Sequence, residues 1–280
     1  MSQYRIVHTT GYRYDGGATD SFNEARMTPL TSRRQLVLSS RLDITPVAWT
    51  NSYRDYWGTS TTAFEIHERH SELKVVATST VDIHEVSRAE EPLGWAGLDD
   101  PDLRDRYGEL LNLTGYVRPH RDVARIAQSV RAQSATPGDA VVELTRRLRD
   151  TVGYVPGVTQ VHTQAAEVWE KGAGVCQDIA HLTLGGLRSM GIPARYVSGY
   201  VVQRPDPAVG EVLVGESHAW LQYFDGEWLG FDPTNGSVPS GSHVEVGFGR
   251  DYSDVPPLRG IYTGSGSSEM YVSVEMTRLT

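Results

Sequence analysis

Between Tyr4 and about Ile83, apolar and polar residues alternate with period two. Tyr4, Ile6 and His8 alternate with Arg5 and Val7, and the run continues through Tyr12 and Tyr14 to a predicted turn at Asp15-Gly16-Gly17. Leu36, Leu38, Leu42 and Ile44 stand between polar neighbours, and residues 63–66 and 73–77 supply further strand-like runs. Alternation sends successive side chains to opposite faces of a strand, and the Gly, Asn and Ser clusters between runs supply turns. Residues 1–88 therefore read as an antiparallel β-sandwich-like domain.

From residue 89 onward the texture changes. Asp100-Pro101 is an N-cap followed by proline at the first helical position, and predicts a helix to about Leu113. Val123, Ile126, Ala127 and Val130 share one helical face. Thr136-Pro137 opens a third helix, with Val141, Leu144 and Leu148 on its apolar side and an end at Gly153. A short helix after Thr163 carries Ala166, Val168 and Trp169, and another follows Cys176. Strands are predicted near 196–202, 219–224, 228–231 and 270–276. Helices first and an antiparallel sheet after them make residues 89–280 α+β. No internal repeat and no long low-complexity linker interrupts the chain.

Composition narrows the function classes. The chain is 39% hydrophobic with six tryptophans and fourteen tyrosines, enough for a large core. Its 26 basic and 35 acidic residues give a net charge of −9 without a basic block. Nucleic acid and anionic membrane surfaces are therefore not expected partners, since both need clustered Lys and Arg. The N-terminal residues carry no basic-then-apolar signal, and no run nears the roughly eighteen apolar residues of a membrane span. A cytoplasmic location is the expectation.

The chain has one cysteine, Cys176, so it forms no intramolecular disulfide. Glycines at 172 and 174 break the preceding helix and put Cys176 at a helix N-terminus. Free N–H groups and the positive dipole end there favour a thiolate and can donate to an oxyanion. By itself the stripe of Cys176, Ala180, Leu184 and Leu187 reads as core packing, a solitary cysteine being more often a small buried hydrophobe. His218 and Asp232 add to the picture. They flank the turn at Asp225-Gly226, and a loop of residues 224–226 would pair Tyr223 with Glu227. His218 then stands opposite Asp232, with Cβ atoms about 5 Å apart on one face. A two-residue loop would shift that register by one. Carboxylate, imidazole and thiol in this order match an orienting acid, a base and a nucleophile.

These residues carry a family resemblance. Gly174-Val175-Cys176-Gln177-Asp178, Gly191-Ile192-Pro193-Ala194-Arg195-Tyr196-Val197-Ser198-Gly199-Tyr200, Ser217-His218-Ala219-Trp220 and Asp232-Pro233-Thr234-Asn235 resemble the bacterial transglutaminase-like superfamily of cysteine proteases. Residues 4–83 resemble the β-rich N-terminal region of its bacterial members, and residues 249–257 resemble their tail. The resemblance implies a papain-like α+β core (residues 89–280) behind the β domain. It also implies Cys176 as nucleophile, His218 as base and Asp232 as orienting acid. Two positions depart from the pattern. Ile179 replaces a usual phenylalanine, which is a packing change. Glu216 replaces a small residue and would bring negative charge near the imidazole, raising its proton affinity.

Gln177, Asp178, His181 and Arg195 belong to the motifs and read as supporting residues. Tyr154 and Trp169 lie upstream of the nucleophile, where related enzymes place an oxyanion or substrate-shaping group; core packing is the competing reading for both. The histidines at 162, 181, 218 and 243 have no close metal-ligand spacing, so no metal is expected, and no cofactor is required. Gly247-Phe248-Gly249 and Gly264-Ser265-Gly266 lack the setting of a phosphate loop and read as turns. The implied activity is acyl transfer through a thioester on a protein or peptide substrate. Peptide or amide hydrolysis is the leading form. Protein-glutamine gamma-glutamyl transfer to an amine, and a catalytically silent binding module, are the alternatives.

Overall fold

The computed structural model describes residues 2–280 except 203, 205 and 206, and the side chain of Glu216 lies outside the described set. Strand β1 (Ser2–Ala25) opens the chain, followed by β2 (Gln35–Thr45), β3 (Trp49–Arg54), β4 (Ser60–Ile66) and β5 (His70–Ile83). Helices α1 (Gly94–Leu98), α2 (Pro101–Arg106), α3 (Gly108–Leu111), α4 (Arg121–Gln133) and α5 (Pro137–Arg149) come next. The short strand β6 (Gly153–Tyr154), α6 (Ala165–Lys171), β7 (Ala173–Gly174) and α7 (Cys176–Ser189) lead into the second sheet region. That region holds β8 (Ala194–Val201), β9 (Val212–Phe224), β10 (Trp228–Phe231), β11 (His243–Gly249), β12 (Leu258–Gly264) and β13 (Ser268–Arg278). The fold is α+β, with an N-terminal sheet domain ahead of the helices.

The two sheet regions are continuous. Strand order runs β11-β8-β9-β13-β1, so the last strand stitches the N-terminal sheet to the strands behind the helices. β1 pairs with β5 and β13 along its first half, and with β4 and β12 along its second. The predicted turn at residues 15–17 is corrected here: β1 runs straight through it. Tyr14 pairs with Ser268 and Ala18 with Gly264, leaving residues 15–17 and 265–267 as facing bulges. A Cβ on Gly16 would lie 1.9 Å from the Ser265 carbonyl oxygen, and Gly17 has φ +75°. Glycine tolerates both, so the ribbon kinks without reversing. Gly247-Phe248-Gly249 also proves to be strand, the end of β11 against β8.

Helix starts match their capping residues. The Asp100 carboxylate accepts from the N–H groups of Asp102 and Leu103, and Thr136 accepts from that of Asp139. The ends differ from expectation. The helix predicted to about Leu113 breaks at Tyr107, whose ring packs 4.6 Å from Phe224 and 5.6 Å from Trp228, ahead of Gly108. α5 stops at Arg149, and Gly153 donates to the Gly172 carbonyl 3.0 Å away as part of β6.

Three apolar clusters hold the molecule. Val123, Ala127, Val141, Leu144, Leu148, Leu184 and Leu187 bury one face of the helices against Ala219 and Leu221 of β9. Tyr4, Ile6, Val81 and Ile83 pack on Tyr200, Val202, Val244 and Val246, joining the N-terminal sheet to the second sheet region. Phe64, Ile66, Leu73 and Val75 fill the distal end of the N-terminal sheet. A fully buried side chain of this size contributes roughly 1.5–3 kcal/mol. Among the described residues, no helix is long and apolar enough to cross a membrane.

Candidate active site

Cys176 is the first residue of α7, with Val175 as its extended N-cap, and its side chain is partly exposed. Gly172, left-handed at φ 66°, ends α6 and turns the chain toward this start. Gly174 lets the chain pass close to Asp178, since a Cβ there would sit 2.8 Å from the Asp178 Cβ. Asp178 Oδ2 accepts from the Val175 N–H at 2.9 Å and the Thr159 hydroxyl at 2.6 Å. Burial pushes the Asp178 carboxyl up, while those two hydrogen bonds act against it. The first turn is thus fastened from beneath. The N–H groups at the start of α7 keep the outward orientation that stabilises negative charge.

His218 comes from β9, opposite Gly199 of β8. Its Nε2 lies 2.8 Å from Asp232 Oδ2, and the ring lines a small cavity together with Cys176, whose interaction with the imidazole raises its proton affinity. With Nε2 engaged by the carboxylate, Nδ1 is the nitrogen left for the sulfur. The buried Trp220 ring stacks on His218 with centroids 6.0 Å apart. The hairpin register differs from expectation by two residues: Phe224 pairs with Trp228 and Leu221 with Phe231. Asp225-Gly226-Glu227 forms the loop, because the Asp225 carboxylate is held there by the N–H groups of Leu93 and Gly94. Asp232 therefore lies diagonal to His218 rather than opposite. A shift of two preserves the face, so the side chains still meet.

Asp232 is fully buried. Its Oδ1 accepts from the N–H groups of Thr234 (3.0 Å) and Asn235 (3.2 Å). Its Oδ2 accepts from His218, from Asn235 Nδ2 at 2.8 Å and from His243 Nε2 at 3.2 Å. Burial alone would raise its proton affinity, but the hydrogen bonds from His218, His243 and Asn235 hold it well below the usual carboxylate range. Burial would make the His218 imidazole harder to protonate. Hydrogen bonds and charge interactions with Asp232 and Cys176 outweigh that and push it up to about 10.

His243 is the residue the sequence reading passed over. The histidines at 162, 181, 218 and 243 have no close metal-ligand spacing along the chain, yet the structure sets His218 and His243 on the same carboxylate oxygen. Their proximity comes from β11 pairing with β8, where His243 faces Val201, and no local spacing encodes that. The donor atoms of His218, Asp232 and His243 lie within 4.8 Å of one another and are of metal-ligand type. Yet His243 Nδ1 accepts the Ser240 N–H at 3.3 Å, which leaves Nε2 carrying the proton and aimed at Asp232. Oδ2 is already shared by three donors, so the set is built as a hydrogen-bonded relay.

The remaining predicted residues separate by position. Gln177 lies beside Cys176 and donates to the Val161 carbonyl at 3.0 Å. Tyr154 is half-exposed and lines a cleft of about 650 Å³ together with His218, Asn235 and His243. Trp169 packs on the helical core, as does Ile179. Arg195 is away from the thiol: its guanidinium bonds Gln222 Oε1 and stacks over Phe248 and Trp228 at 4.0 and 4.3 Å. His181 is buried and accepts the Tyr252 N–H at 3.1 Å. The expected influence of Glu216 falls on a side chain outside the described residues. A second cavity of about 160 Å³ lies on the cysteine side, and His8 and Thr10 of β1 line it with Cys176, Gln177 and His218. The N-terminal β domain was expected from the sequence either to shape the cleft or to be purely structural, and β1 does line this cavity.

Comparisons with known proteins bear on the family and the fold. The profile of the bacterial transglutaminase-like N-terminal region matches residues 4–82, and that of the transglutaminase-like superfamily matches residues 124–233. An uncharacterized protein of Mycobacterium leprae is 43% identical over 279 residues, covering 100% of both chains. An uncharacterized protein of Mycobacterium tuberculosis is 34% identical, covering 98% of this chain and 92% of its own. A protein-glutamine gamma-glutamyltransferase of Pseudomonas aeruginosa is 31% identical over 121 residues, 41% of this chain and 18% of that protein. Among solved structures, a proposed cysteine protease from Cytophaga hutchinsonii has TM-score 0.79 at 24% identity, over 100% of this chain and 91% of that one, and so shares the fold.

Proposed function

Since this chain belongs to the bacterial transglutaminase-like superfamily, we propose that it is a cysteine-dependent acyl-transfer enzyme with Cys176 as nucleophile, His218 as acid and base, and Asp232 as orienting group. The observation that carries this reading is the 2.8 Å bond from His218 to the buried Asp232 carboxylate, with the α7 thiol lining one small cavity with the same imidazole. An imidazolium beside a thiol at a helix N-terminus favours the thiolate. In the first half-reaction the Cys176 sulfur bonds the carbon of an amide carbonyl. The developing oxyanion draws on N–H groups at the start of α7. His218 gives its proton to the nitrogen, the C–N bond breaks, and an amine leaves behind a thioester. In the second, neutral His218 takes a proton from the incoming nucleophile as it attacks the thioester, and the thiolate departs.

Water is the acceptor we favour. His218 borders the 650 Å³ cleft, whose wall carries Thr234, Asn235, Ser237 and Ser240, a polar lining suited to holding water beside the imidazole. Transfer to a primary amine is the second reading, and its support is the stretch shared with the Pseudomonas aeruginosa gamma-glutamyltransferase. The test is mass spectrometry of acyl adducts on Cys176 after incubation with a glutamine-containing peptide library, with Cys176→Ala as control. Adducts that decay to free acids support hydrolysis, and decay to amides only when an amine is added supports transfer. A wild-type protein that forms no adduct, and whose thiol alkylates at pH 6 no faster than in His218→Ala, would behave as a binding module and end the enzymatic reading.

A further inference from the structure

We propose that His243 is a positioning residue for the reaction, acting through Asp232 to limit how tightly His218 holds its proton. This rests on the acyl-transfer reading above and adds a fourth group to it. Asp232 is already fixed by Thr234, Asn235 and His218, so its orientation does not require a second imidazole. What His243 adds is a neutral N–H donor, 3.2 Å from the oxygen that also serves His218. The Ser240 N–H on its Nδ1 fixes that tautomer, and the edge of Trp220, ring centroids 5.3 Å apart, fixes its plane.

The electrostatic consequence follows from geometry. The two imidazole rings sit 6.1 Å apart on one carboxylate oxygen. The positive end of the His243 N–H dipole thus lies close to the His218 imidazolium and shares the negative charge that stabilises it. Both effects favour release of the His218 proton. A proton donor whose affinity is far above the working pH protonates a leaving amine slowly, so a restraint on that affinity assists the first half-reaction. Other titratable or charged groups face this cluster. Cys176 of α7 and Tyr196 of β8 line the small cavity together with His218. Tyr4 of β1, Tyr154 of β6 and Arg278 of β13 line the larger cleft, and His8 and Tyr252 line the smaller cavity.

The sign of the effect distinguishes this role from a merely structural one. If His243 only braced Asp232, removing it would loosen the carboxylate and make His218 easier to deprotonate. If it shares the charge, removing it makes His218 harder to deprotonate. The experiment follows the ring nitrogens of 15N-histidine-labelled protein by NMR across pH, in wild type, His243→Leu and His243→Gln. Leucine preserves packing against Trp220 and keeps water out, whereas glutamine keeps an N–H donor. The expected result is a His218 midpoint roughly half to one pH unit higher in the leucine variant, with the glutamine variant closer to wild type. The alkaline limb of kcat/KM should move the same way. An unchanged or lowered midpoint in a folded His243→Leu protein overturns the proposal. A wild-type His218 midpoint that does not respond to Cys176→Ala instead overturns the thiolate–imidazolium reading on which it rests.

Discussion

A Cβ placed on Gly199 would lie 2.4 Å from Trp220 Cη2 and 2.1 Å from the Val244 carbonyl oxygen. The indole fills the space that glycine leaves, and the same indole carries His218 on one face and meets His243 at its edge. Gly199→Ala should therefore disturb the imidazole without touching it. The expected cost is roughly 1–3 kcal/mol of stability from overpacking, seen as a lower Tm, together with slower alkylation of Cys176 at pH 6 than in wild type. The aspartate–histidine pair makes a second prediction, read in the protein with Cys176 in place. A raised imidazole contributes stability that is full below about pH 6.5 and is lost as pH rises toward about 10. A depressed carboxylate contributes stability that is full above about pH 4 and is lost as pH falls further. Urea unfolding should show the stability gap over Asp232→Asn largest between about pH 4 and 6.5 and shrinking by pH 9. A gap independent of pH would contradict the pairing. At this scale the pairing of His218 with Asp232 was legible from the motifs, but that of His243 was not, since only the folding of β11 beside β8 brings it to Asp232.

At the scale of elements, α7 depends on a cap that is hidden from solvent. Asp178 is 1% exposed and serves both the Val175 N–H and the Thr159 hydroxyl. Asp178→Ala leaves both donors unmet, and should cost about 1–2 kcal/mol while lowering the pH 6 alkylation rate of Cys176. Chemical denaturation and a stopped-flow alkylation series measure the two effects. Period-two and helical patterns revealed nearly every element that carries chemistry, because burial of one face forces those repeats. Register was harder to read. The β9–β10 loop is set by Asp225 capping the N–H groups of Leu93 and Gly94, a contact 131–132 residues away in sequence that no hairpin rule contains. The prediction placed Asp232 on the correct face by parity alone. β1 misled for a related reason: two glycines normally signal reversal, and here they permit a bulge facing another bulge.

Across the whole molecule, the N-terminal sheet is built into the sheet that follows the helices. β13 lies between β1 and β9, and Tyr4, Ile6, Val81 and Ile83 bury themselves against β8 and β11. A buried polar network crosses the same boundary: Gln35 of β2 bonds Glu245 of β11, which bonds Gln222, which holds Arg195. Residues 89–280 expressed alone should therefore lack a cooperative unfolding transition and the near-UV dichroism of the full chain. A folded, reactive fragment would show that the two regions are separable.

The small cavity beside the thiol has a consequence for how such a protein diversifies. Its walls have two owners: Cys176, Gln177 and His218 on one side, and His8 and Thr10 of β1 with Met270 and Val272 of β13 on the other. Under the proposed chemistry, the groups that break bonds come from the interior of the chain, and groups that decide what fits come from its first and last strands. Mutation can then retune which acyl group is admitted by altering alternate positions on two strands, with the reactive constellation left intact. Selectivity and reactivity in this architecture are separately heritable.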